Sequence, residues 1–187
     1  SQKSDPFAMT WRPVVDPPSI TVNNGVDNAV VKEDGTVVVP IVASLNAVDS
    51  PAAFLTVTVT GFNPAWGTVT APVGTFNGAG TVWTITLPAG TNLSTAFTFK
   101  PAANKDIDLS GLVATATATE PVTSTTASTT DNFGIITDAV ADKPDLTVTD
   151  MTVGQGAPVA ITVNTVLGDT DASETITGYQ VSGVPSG

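Results

Sequence analysis

The chain alternates apolar and polar residues with a period of two in several short stretches, and this pattern constrains its fold more than any other feature. In residues 54–60, Leu55, Val57 and Val59 fall on one face and threonines on the other. Each stretch ends at Gly, Pro, Asn or Asp, and no long stretch has the 3.6-residue period of a helix. The pattern predicts an all-β, antiparallel sandwich. Further core positions are predicted at Trp83, Ile85, Leu87, Phe97 and Phe99.

The composition is that of a chain that can bury a core. Hydrophobic residues make up 41% of the 187 residues and charged residues only 12%, whereas disordered chains combine low hydrophobicity with high charge. The length allows one domain or one and a fraction.

The charge and the missing residue types exclude several functions. Six Lys and Arg against 17 Asp and Glu give a net charge of −11, which argues against nucleic-acid partners and against docking on anionic lipid. The chain has no Cys and no His, so the usual thiolate nucleophile, general base and zinc ligands are missing. No apolar run is long enough for insertion into a membrane. Since no catalytic set is found either, we expect the protein not to be an enzyme.

Two pairs of similar segments predict an internal repeat. VVDPPSITV at residues 14–22 matches VADKPDLTV at 140–148, an offset of 126, and TVTGFNP at 58–64 matches QVSGVP at 180–185, an offset of 122. We therefore predict a leader or tag at residues 1–13, a sandwich repeat at 14–143 and the N-terminal part of a second repeat at 144–187. The proline-containing stretches between them read as short, stiff linkers.

The second copy contains an acidic signature. Residues 167–176 read LGDTDASETI and residues 181–187 read VSGVPSG. Together with WTITL at 83–87 and VADKP at 140–144, they resemble the tandem repeats of type I-secreted RTX giant adhesins of Gram-negative bacteria. The resemblance implies that the complete repeat is an Ig-like or cadherin-like β-sandwich and that a partial second module follows it. Ala172 stands where those repeats usually have Gly, and the corresponding region of the first copy, residues 45–51, has lost most of its acidic residues.

Two groups of oxygen-bearing side chains are candidate calcium ligands, because calcium binds six to eight hard oxygens. The resemblance implies that the first group is a calcium site. The alternative for this group is a solvated acidic turn. The second group lies at the predicted linkers and on a turn that can reach them, and the alternative there is ordinary surface carboxylates. The first group is Asp169, Asp171, Ser173 and Glu174; the second is Asp138, Asp142, Asp145, Asp16, Glu33 and Asp34.

The resemblance implies an extracellular protein at the bacterial cell surface. The expected function is that of a calcium-stiffened spacer repeat of a large adhesin, with neighbouring repeats of the same chain as its partners. One alternative is a self-assembling surface-layer or filament subunit that joins another copy by β-strand addition. A second alternative is a carbohydrate-binding module, for which the turn residue Trp66 is the candidate sugar platform.

Overall fold

The computed structural model describes the whole chain apart from residues 1–3, 5, 47–49, 153, 155, 157, 170–171 and 184–187. The described part is built from short strands and one three-residue 3₁₀ turn. None of its helical segments has the length and apolarity needed to cross a lipid bilayer. The strands are β1 (Ser19–Val22), β2 (Asn28–Lys32), β3 (Val37–Ser44), β4 (Phe54–Thr60), β5 (Gly67–Thr70), β6 (Thr75–Phe76), β7 (Val82–Thr86), β8 (Leu93–Pro101), β9 (Leu109–Glu120), β10 (Thr125–Asp138), β11 (Asp145–Val148) and β12 (Val163–Val166).

Two sheets form the main body. One has the strand order β1-β3-β8-β5 and the other β2-β10-β9-β4-β7-β6. Neighbouring strands are antiparallel, except that β2 runs parallel to β10. Because β1 and β2 follow each other in the chain but belong to different sheets, the start of the body contributes to both. The prediction of an all-β sandwich of mainly antiparallel strands is confirmed.

The alternating residues supply the core between the sheets. Leu55, Val57 and Val59 are completely buried, as their spacing predicts. The ring of Trp83 meets that of Phe97 edge to face, with centroids 4.9 Å apart. The remaining predicted core positions also lie in or against this cluster.

The pair formed by β11 and β12 repeats the pairing of β1 with β3. Asp145 lies opposite Val166 as Ser19 lies opposite Ser44. Both pairs are antiparallel and keep this register along four residues. The offsets are the ones found in the sequence, so the similar segments also have similar local structures.

The two pairs differ in what covers them. Val22 and Ile41 are 1% and 0% exposed in the sandwich, whereas their counterparts Val148 and Val163 are 48% and 37% exposed. Leu146 on the same pair is exposed as well. Within the described residues, β11 and β12 therefore present to solvent a face that is interior in the sandwich.

Gly74 packs against the core tryptophan in a way that no other residue can reproduce. Its φ is +77°, and an added Cβ would lie 2.6 Å from the ring of Trp83. The indole N–H of Trp83 donates to the carbonyl oxygen of Val73 at 2.9 Å, which fixes the ring in this position.

We predict that Gly74→Ala lowers the free energy of unfolding by about 2–4 kcal/mol, because it combines a strained φ with overpacking. Gly111→Ala is the matched control, since Gly111 has a φ of +73° but open space around it, and we expect it to lose only about 1–2 kcal/mol. Urea unfolding of both variants measures the difference. Equal losses of unfolding free energy in the two variants would mean that the close contact with Trp83 adds nothing to the effect of Gly74→Ala.

Candidate functional site

Glu33 lies where the sandwich ends and the chain leaves β10. Its main-chain N–H donates to the carbonyl oxygen of Asp138 at 3.0 Å, which extends the parallel pairing of β2 and β10 by one residue. Its side-chain Oε1 accepts the N–H of Val140 at 2.7 Å. Both bonds hold the turn after β2 against the outgoing chain.

The carboxylate of Glu33 is in an unfavourable position for a negative charge. The residue is 2% exposed, and its buried Oε2 has no hydrogen-bond partner in the described part of the chain. Burial raises the pKa of Glu33, as do the negative charges of Asp169, Asp34 and Asp142, while the bond from Val140 acts in the opposite direction.

The raised pKa has a consequence for stability. The folded protein holds this proton more tightly than the unfolded chain does. The stability that Glu33 contributes is therefore present below its ordinary pKa of 4.5 and is lost as the pH rises through the raised pKa. Above the raised pKa the ionised side chain is less favourable in the folded protein than in the unfolded chain.

The second repeat meets Glu33 with further carboxylates. The N–H of Asp142 donates to Oε1 of Glu174 at 2.5 Å, and the other oxygen of Glu174 is buried without a hydrogen-bond partner. Asp169 is buried and accepts a hydrogen bond from the hydroxyl of Ser173. We call Glu33, Asp142, Asp169 and Glu174 the acidic joint.

Direct contacts also connect the two repeats at the acidic joint. The side-chain amide of Asn104, from the loop between β8 and β9, donates to the carbonyl oxygen of Gly168 at 2.6 Å. A Cβ added to Gly168 would lie 3.3 Å from the side chain of Asp142, so this loop packs closely on the linker. The sequence did not single out Asn104, because nothing local distinguishes it from other turn asparagines.

The remaining predicted ligands are placed differently. Asp34 follows Glu33 on the same turn and is exposed, as are Asp138 at the end of β10 and Asp145 at the start of β11. Asp16 lies at the opposite end of the sandwich, in a cavity that Glu120 also lines. Asp171 lies outside the described residues.

The carboxylates of the acidic joint do not surround a single point. In the described part of the chain, no three acidic side chains are close enough to share one metal ion. Three of the carboxylates instead accept a hydrogen bond from the protein: those of Glu33, Asp169 and Glu174. What the joint offers a cation is concentrated negative charge and two buried, unpartnered oxygens.

The candidate sugar platform is part of the packing. Trp66 is half-buried against the core cluster, and its carbonyl oxygen accepts the N–H of Ala102 at 2.9 Å. Its ring therefore helps to close the end of the sandwich.

Comparison of the chain with protein-family models and with curated proteins returns no match. Function is therefore argued from the residues of the chain itself.

We predict that Glu33→Gln stabilises the protein in calcium-free buffer at pH 7, because an amide keeps the acceptor for Val140 and removes the buried charge. The thermal midpoint should rise by roughly 2–4 °C, which corresponds to about 1 kcal/mol in a chain of this length. Asp27→Asn, which neutralises an exposed carboxylate before β2, should leave the midpoint nearly unchanged. If EGTA is used to remove calcium and Glu33→Gln then has a lower thermal midpoint than the unchanged protein, this explanation is contradicted.

Proposed function

We propose that the chain is a structural spacer of a large bacterial surface adhesin, in which calcium stiffens the joint between successive repeats. The observation that carries this proposal is the buried carboxylate of Glu33, held against the linker and facing the acidic loop of the next repeat. A sandwich followed by a second copy of its first strand pair, in the same register, is what a tandem array requires.

The donor set of the acidic joint fits calcium. Carboxylate oxygens are the ligands that this ion prefers, and the chain has no Cys or His that would favour a softer metal. The buried oxygens of Glu33 and Glu174 that lack hydrogen-bond partners are available to a cation. Because no three carboxylates among the described residues lie close enough to share one ion, a bound cation would be held by one or two of them and by water, and it would supply positive charge beside the others.

The chain's own contacts explain why such a joint would transmit force. Two hydrogen bonds connect the sandwich and its linker to the second repeat, one from Asn104 to Gly168 and one from Asp142 to Glu174. The two bonds of Glu33 hold the outgoing chain against the sandwich. Repulsion between the carboxylates opposes these bonds, because charges in a partly desolvated site are poorly screened. Neutralising that repulsion leaves the bonds unopposed and restricts bending at the linker.

An extracellular location at the bacterial cell surface is part of the proposal. Calcium sites of extracellular modules bind with dissociation constants of about 10⁻⁴–10⁻³ M, which suits a surface protein that meets the ion outside the cell. A secreted spacer needs no cofactor and no catalytic group, in keeping with the acidic, His-free and Cys-free composition.

We predict that calcium raises the thermal midpoint and that the acidic joint supplies part of this gain. At a hundredfold excess over Kd, one site contributes about 2.7 kcal/mol. Glu33→Gln and Glu174→Gln should each reduce the gain, whereas Asp27→Asn should retain it. Differential scanning calorimetry in calcium, in magnesium and in EGTA measures these shifts.

Amide hydrogen exchange provides a second, local readout. Calcium should slow the exchange of the Val140 and Asp142 amides, whose acceptors are Glu33 and Glu174. The proposal is supported if calcium slows exchange at these two amides in the unchanged protein but does not slow it in the Glu33→Gln variant. Unchanged exchange and an identical calcium gain in both joint variants would refute a metal-stiffened joint.

One observation favours the second candidate function, a self-assembling subunit. The uncovered face of β11 and β12 carries Leu146, Val148 and Val163, and such a face with a free strand edge can accept a strand from another chain. The occupant in this case is a second copy of the same protein.

We predict that, if the chain assembles in this way, sedimentation velocity shows dimers or larger species that Val148→Asp converts to monomers. Val38→Asp is the control, because Val38 is exposed on the outside of the sandwich. Monomers at all concentrations, with and without calcium, would exclude this second function and leave the spacer.

A further inference from the structure

The segment that leads into the sandwich repeats the end of β10. Residues 5–13 read DPFAMTWRP, and residues 131–139 read DNFGIITDA. The offset between them is 126, which is also the offset between the two linker segments. The match is continuous with theirs, so residues 5–22 align with 131–148 without a gap. The chain therefore contains a second segment with the pattern of β10.

The apolar residues of this segment correspond to core positions of β10. Phe133 and Ile135 are 6% and 2% exposed, and both belong to the core cluster of the sandwich. Their counterparts at the offset of 126 are Phe7 and Met9, which are 84% and 66% exposed. Trp11 follows on the same face of an extended chain and is 86% exposed. The segment thus has the inward face of a strand, and this face lies in solvent.

The partial second repeat has the complementary surface. In the sandwich, the inner faces of β1 and β3 share one core cluster with the buried residues of β10. In the second repeat, the corresponding strands β11 and β12 line an open apolar groove of about 560 Å³. Leu146, Val148, Val163 and Tyr179 are among its walls and are exposed. The groove is therefore of the kind that a strand like β10 covers in the sandwich.

The segment is too short to reach the groove of its own chain. It ends at Pro13, whose carbonyl oxygen accepts the hydroxyl of Thr123 at 3.3 Å beside the turn between β9 and β10. From that turn, β10 runs 14 residues towards the linker, a length of about 46 Å at 3.3 Å per residue. The nine residues 5–13 span at most about 32 Å, so only the groove of another copy is within reach.

The charges favour contact between unlike ends of two copies. Residues 1–13 contain two basic side chains and one acidic side chain, whereas residues 140–187 contain one basic and six acidic side chains. Opposite charges steer such ends together, while two acidic ends repel each other. A head-to-tail contact is therefore favoured over a contact between two acidic ends.

We propose that residues 5–13, instead of acting as a leader or tag, are a donor strand that fills the groove on β11 and β12 of a second copy. Phe7 and Met9 of the donor strand take the places that Phe133 and Ile135 have in the sandwich. Because donor strand and groove lie at opposite ends of each copy, the contact is heterologous and continues from copy to copy. The inference rests on the second candidate function, for which it names the donated segment, and the calcium-stiffened joint does not enter it.

Sedimentation velocity of the intact chain tests the donor strand with a matched pair of variants. Met9→Asp places a charge on the inward face, and Thr10→Asp places the same charge on the opposite face. We expect Met9→Asp to weaken association by roughly tenfold or more, because a charge buried without a partner is unfavourable, and Thr10→Asp to weaken it far less. Both positions are exposed in the single chain, so the circular dichroism spectrum should stay the same.

A synthetic peptide of residues 5–13 tests the groove. Phe7→Asp disables the donor strand and leaves the groove open, so this variant should be monomeric and should bind the peptide in calorimetric titration. The same variant with Val148→Asp added should not bind it. A peptide of identical composition without the alternation is the control, and we expect it to bind neither protein.

The outcomes separate this inference from the functions proposed above. Association that Val148→Asp abolishes but Met9→Asp and Phe7→Asp leave intact would overturn the donor strand and keep self-assembly. Equal weakening by Met9→Asp and Thr10→Asp would also overturn it, because the effect would then come from charge and not from burial of one face. Monomers at all concentrations would overturn both. The calcium response of the acidic joint is tested independently, by Glu33→Gln.

Discussion

The structure depends on the burial of one face of each strand between two sheets. Val57, Trp83 and Phe97 meet in the middle of the sandwich and are almost completely removed from water. Burial of such side chains is the main favourable contribution to folding, at roughly 1.5–3 kcal/mol for a large aliphatic or aromatic side chain. The tight fit of Gly74 against the indole follows from the same packing.

A sandwich closed in this way leaves its two ends as the places where polar chemistry can occur. The strands end there, their connecting turns cover the core, and main-chain N–H groups outside the ladders need acceptors. Glu33 and Glu120 supply such acceptors from side chains that are themselves buried. Among the described residues, each of them then keeps one buried oxygen without a hydrogen-bond partner.

The strand pattern could be predicted from the sequence in some detail, because alternation acts through neighbouring residues. Leu55, Val57 and Val59 are buried as expected. The sequence also predicted that Glu33 lies on a turn that can reach the linker, and its hydrogen bond with Val140 shows that contact. Its burial could not be predicted, because that results from the parallel pairing of β2 with β10. Asn104 gave no signal, because its partner Gly168 is 64 residues away in the chain. Glu120 gave none either, because its burial results from the packing at the end of β9.

The sequence by itself determined the all-β class, the core faces and the repeated segments, because each depends on the spacing of residue types along the chain. Tertiary structure alone decided the order of the strands, the register shared by the two repeated pairs and the meeting of Glu33 with Asp142 and Asp169. The physical reason is distance: electrostatic effects between carboxylates act over a few ångströms in space. Glu33 and Asp169 are more than a hundred residues apart in the chain, and only folding brings their charges together.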